Sequence, residues 1–127
     1  MAEATKPDLI WNRACNVGLN FLLRGDRALA AMIVFHSAAM NGGVLHALEC
    51  ITPRDIAAAE EGYRFFDLNN VAELLNEFKS GPKDDCDLDA WESELDGRYG
   101  QLVRDDSVLF ESFKRALESK PSDFAPV

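Results

Sequence analysis

Between residues 84 and 96 the chain reads Asp-Asp-Cys-Asp-Leu-Asp-Ala-Trp-Glu-Ser-Glu-Leu-Asp, a run of carboxylates without a single basic residue. If the chain is helical from residue 88 onward, Asp89, Glu92 and Asp96 form one stripe, about 4.5 and 6 Å apart along the axis. Asp84, Asp85 and Asp87 carry the charge back into the preceding loop. A row of carboxylates at such intervals offers a basic groove what a phosphate backbone offers, with binding driven by steering and counterion release. The plainer reading is a solvated helix face. Asp84, Asp85, Asp87, Asp89, Glu92 and Asp96 are therefore the candidate partner-binding face.

Calcium is the other chemistry this run invites, because Asp85, Asp87 and Asp89 match the first, third and fifth positions of a calcium loop. Ala90 then stands where the sharp turn needs glycine, and Asp96 where a bidentate glutamate closes the site. Elsewhere, His46 and Cys50 are four residues apart with Glu49 between them, a spacing that could begin a zinc site. No second ligand pair completes it. His36 and His46 lie in an apolar segment, where a hydrogen-bonded core histidine is the more ordinary reading. No G-x-S-x-G is present, and Asn41-Gly42-Gly43 is too short for a phosphate loop. Neither a metal nor a cofactor is assigned, and an enzyme is not expected.

The elements that must position these residues centre on 28–48, which carries no fixed charge between Arg27 and Glu49. A helix apolar almost all round belongs in the middle of a domain. That places a central helix at about 27–41, a structural turn at Asn41, Gly42 and Gly43, and a short buried helix after it. Before it, a helix from about Asp8 to Arg24 buries Ile10, Ala14, Val17 and Phe21; Gly25 closes it and Asp26 caps the next. Thr52-Pro53 opens a helix with Ile56, Ala59, Tyr63 and Phe66 inside. Asn70 caps one with Val71, Leu74, Leu75 and Phe78. Asp87 caps a helix burying Leu88, Trp91, Leu95, Tyr99 and Leu102, with a break expected near Gly97 and Gly100. Asp105-Asp106 starts the last helix, and Lys120-Pro121 ends it. No segment alternates as a strand does. The expected fold is all-α: a compact single-domain bundle of six or seven helices over 1–127, with tails at 1–6 and 121–127.

The 127 residues carry a net charge of −9, from 22 acidic and 13 basic side chains. That balance argues against direct binding to nucleic acid or an anionic membrane, and permits a basic protein partner. Three widely spaced cysteines do not suggest a disulfide framework. No signal peptide is visible, and the apolar run is too interrupted to cross a membrane, so a cytoplasmic location is expected.

The apolar helix leading into Met40-Asn41-Gly42-Gly43, then Ala59 to Leu75, Leu95-Asp-Gly-Arg-Tyr99 and Pro121-Ser-Asp-Phe124, resembles a family of small bacterial all-helical domains that includes a DNA-mimic protein. The resemblance spans roughly Asp26 to Phe124. Where the family continues its Asn-Gly-Gly with an aromatic residue and a glutamine–aromatic pair, this chain has Val44-Leu45-His46-Ala47. The resemblance implies an all-helical fold, no known catalytic activity and, in one branch, an acidic surface that occupies a DNA-binding protein. The leading functional expectation is an acidic module docking a basic protein, with mimicry of DNA as its sharpest form. The alternatives are an immunity-type protein neutralising a co-encoded toxin and a metal-dependent enzyme using His46 and Cys50. The chain is expected to be a monomer, or a homodimer joined through apolar surface such as Trp11 or Phe124.

Overall fold

The structure, a computed structural model, describes residues 5–17, 23–81 and 87–127. Within them the chain forms α1 (Lys6–Val17), α2 (Arg24–Gly42), α3 (Val44–Cys50), α4 (Pro53–Phe65), α5 (Asn69–Phe78), α6 (Leu88–Leu102) and α7 (Asp106–Ser119). A 3₁₀ turn at Pro121–Asp123 follows, and the described residues contain no strand. The all-α bundle built on a central apolar helix is what the sequence leads one to expect.

Helix α2 is central because it has no solvent face through its middle: Leu29, Ala30, Ala31, Met32 and Ile33 are buried in succession. Its small side chains let neighbours come close, and α4 packs on it most extensively, with α1 and α3 also against it. A Cβ on Gly62 of α4 would stand 2.5 Å from the carbonyl oxygen of Ala28. Only glycine lets the two backbones approach so closely. Helix α5 lies on α4, and α6 bridges α3 and α5.

Several local signals act as read. The Thr52 hydroxyl accepts from the Asp55 N–H with Pro53 at the first helical position, and Asp87 caps α6 through the Asp89 N–H. Asp105 caps α7 through the Ser107 N–H. The Asn41-Gly42-Gly43 corner is a one-residue link: Gly43 has φ 93° and ψ 164°, a conformation essentially confined to glycine.

Other expectations are corrected. Helix α2 begins at Arg24, so Gly25 and Asp26 are its second and third residues instead of a stop and a cap. Phe21 and the side chain of Val17 lie outside the described residues. Helix α5 starts at Asn69 behind Leu68, with no side-chain cap from Asn70. Helix α6 runs unbroken through Gly97 and Gly100, held on the core by Trp91, Leu95 and Tyr99, while Leu88 is exposed. The 121–127 segment is no loose tail: Phe124 is buried and its ring meets those of Phe65, Phe66 and Phe113. Trp11, half-buried, packs on Phe110 and Phe113. Neither ring supplies the exposed apolar surface expected for a homodimer.

Candidate protein-docking face

Helix α6 is continuous from Leu88, and Asp89, Glu92 and Asp96 are exposed along it at i, i+3 and i+7. Burial of Trp91, Leu95 and Tyr99 fixes the helix's rotation, and with it the direction in which the carboxylates point. Asp84 and Asp85 lie outside the described residues. The calcium alternative loses its loop, since Asp89 to Asp96 are helical and Asp87 is the cap.

The carboxylates are not equivalent. Asp96 reaches α3, where its Oδ1 accepts the Val44 N–H at 2.8 Å, satisfying a backbone donor that the start of a helix leaves unpaired. Its oxygens also lie where a Cβ on Gly43 would be 3.4 Å away. Asp96 therefore holds the glycine corner. Glu94 is 3.8 Å from Arg98, whose guanidinium makes a two-pronged contact with Glu77 of α5 at 2.8 Å on each oxygen. This pair is part of the lining of an open groove of about 270 Å³ between α5 and α6. Asp89 and Glu92 have no basic partner among the described residues. Within Leu88–Leu102, four carboxylates face one arginine.

His36 is a buried polar side chain with both ring nitrogens engaged. Its Nε2 is 2.6 Å from Asp106 and its Nδ1 2.8 Å from the Tyr99 hydroxyl, which is 2.7 Å from that of Tyr63. The reading of His36 as a hydrogen-bonded core residue is the one the structure supports. His46 is exposed and only 3.4 Å from the Cys50 sulfur. Among the described residues, no group of three or more His, Cys, Asp or Glu could hold a metal ion. A second polar link, not anticipated from the sequence, ties the chain's ends: Asp26, 1% exposed, takes a hydrogen bond from Arg13 at 2.7 Å and one from the Ala125 N–H at 2.8 Å. These partners lie 13 to 99 residues apart, so local spacing carries no trace of them.

A family model described as DMP19-like protein matches residues 20–123. The chain belongs to this family. The DMP19-like match takes in α2 to α7 and the 3₁₀ turn, so the whole α6 face lies within it. This is the type of family that the Asn41-Gly42-Gly43 corner and its flanking helices pointed to. No curated protein and no solved structure matched the chain. No helix among the described residues is long and apolar enough to cross a membrane.

Proposed function

We propose that this DMP19-like chain is a protein-binding module that docks a basic partner through α6, presenting carboxylates to a DNA-binding protein as a DNA mimic does. Membership of the family carries the reading. The net charge of −9, and the lack of a basic partner for Asp89 and Glu92 among the described residues, are consistent with it. Helix α6 supplies what such docking requires: charges at fixed intervals on a helical element, with little backbone ordering left for the partner to impose. No catalytic residue is assigned and no cofactor is invoked.

The test is a pull-down from lysate of the source cell at about 50 and about 200 mM salt, because contacts built on many charges weaken steeply over that range. Asp89 and Glu92 are the residues to reverse to lysine, since reversing Asp96 would also uncap α3. A DNA-binding protein retained at low salt, released at high salt and lost by the double reversal is expected. Recovery of no basic partner, or a partner indifferent to the reversal, rules the reading out.

A further inference from the structure

The open groove between α5 and α6 is a surface that the docking reading leaves unused. Its lining runs on α5 from Glu77 back through Leu74 and Glu73 to Asn70, and on α6 from Arg98 on to Gln101 and Leu102. At about 100° per residue, Arg98 and Gln101 lie across the buried Trp91, Leu95 and Tyr99 stripe from Asp89, Glu92 and Asp96. One end of the groove shows what its walls can hold. Glu77 takes the Arg98 guanidinium on both oxygens, at 2.8 Å each. That guanidinium also lies 5.5 Å from the centre of the Phe78 ring. One turn further along, the pattern repeats without its cation. Glu73 stands on α5, but the α6 residues there are Gln101 and Leu102. Glu73 has no basic partner among the described residues.

We propose that this groove docks an arginine side chain of a protein partner. The guanidinium pairs with the Glu73 carboxylate, as that of Arg98 pairs with Glu77 one turn away. It carries five N–H donors, more than one carboxylate can take, and the side-chain carbonyls of Asn70 and Gln101 accept from the remainder. Leu74 and Leu102 receive the methylene stem. Lysine fits less well, because its ammonium is a strongly hydrated point charge without the planar fork that matches a carboxylate. An anion is disfavoured, since Glu77 and Glu94 already neutralise Arg98 and the Glu73 charge is in excess. The site does not depend on the Asp89 and Glu92 face.

The probe is acetyl-Gly-Arg-Gly-amide, which carries one positive charge. It is titrated into the isotope-labelled protein at about 150 mM salt, where unlocalised attraction is screened. Amide shifts are followed by nuclear magnetic resonance. Saturable shifts are expected at 70–74 and 98–102, with those of the Asn70 and Gln101 side-chain amides among them. Glu73→Gln should weaken binding about fivefold, the upper range for one exposed ion pair. The lysine counterpart of the peptide should bind more weakly than the arginine one. Gln101→Arg supplies the cation from α6 itself and should abolish binding. Both positions are exposed, so the core stays intact, and unchanged helical circular dichroism verifies this. Reversing Asp89 and Glu92 to lysine should leave the peptide's affinity unchanged, which separates failure here from failure of the docking face. Shifts that fall outside the groove overturn the proposal, as does an affinity that Glu73→Gln leaves unchanged or a lysine peptide that binds equally well. Tighter binding of free L-arginine than of the peptide overturns it too, because the groove would then serve a small molecule.

Discussion

At the scale of single residues, the line Tyr63–Tyr99–His36–Asp106 is a problem in counting protons. An ionised Asp106 carboxylate can only accept, so Nε2 of His36 donates to it. With the imidazole neutral, Nδ1 then accepts from Tyr99, and the Tyr99 oxygen accepts from Tyr63, the innermost member. Each of the three bonds receives one proton and nothing buried is left over. The chain has only two tyrosines and both belong to this line, which makes it readable by absorbance. Burial pushes both phenols up, with neighbouring Tyr99 adding to the effect at Tyr63. A raised folded value means that the stabilisation is complete below the unfolded pKa, near 10, and is lost as pH rises toward the folded values. Above about pH 10 stability should fall by about 1.4 kcal/mol per pH unit for each tyrosine. The expected titration shows no phenolate absorbance in the folded protein near pH 10, then its appearance together with loss of helix. Phenolate forming with the circular dichroism unchanged would mean that the hydroxyls are open to water.

At the scale of elements, glycines separate what is legible in a sequence from what is not. Gly97 and Gly100 look like a weak point in α6, yet the helix passes through both, because Trp91, Leu95 and Tyr99 anchor it on the core. Tertiary burial outweighs local propensity there. A Cβ at Gly97 meets nothing within 4 Å, whereas one at Gly62 would strike the Ala28 carbonyl. Gly97→Ala should therefore stabilise by about 0.5–1 kcal/mol, the helix-propensity gain. Gly62→Ala should destabilise by about 1–3 kcal/mol, the usual cost of overpacking, as α2 and α4 are forced apart. Urea midpoints measure both, and shifts of the same sign would contradict the close crossing. The same division governs the rest of the fold. Thr52 and Asp87 were readable as caps because their partners are two or three residues away. Gly25-Asp26 read falsely as a stop and a cap because the partners of Asp26 are distant in sequence. The α6 stripe followed from spacing alone, but the tie from Asp96 to Val44, 52 residues away, did not.

At the scale of the whole molecule, the chain is closed by its own end. Nine net negative charges repel one another and favour expansion, so the compact state depends on apolar burial and on contacts that join distant segments. The segment after α7 supplies both. Phe124 fills the space between Phe65, Phe66 and Phe113, and the next residue's N–H goes to buried Asp26. Arg13 of α1 completes the clasp by donating to the carbonyl oxygens of Ala125 and Pro126 at 3.0 and 3.1 Å. Phe124→Ala should accordingly cost about 3–5 kcal/mol, the range for emptying a buried phenylalanine site. Removal of Val127, whose side chain is 55% exposed, should cost nothing measurable. The two variants differ by three positions, so a large gap between their urea midpoints locates the closure at Phe124. Equal midpoints would show that the terminal segment merely lies on a core already complete without it.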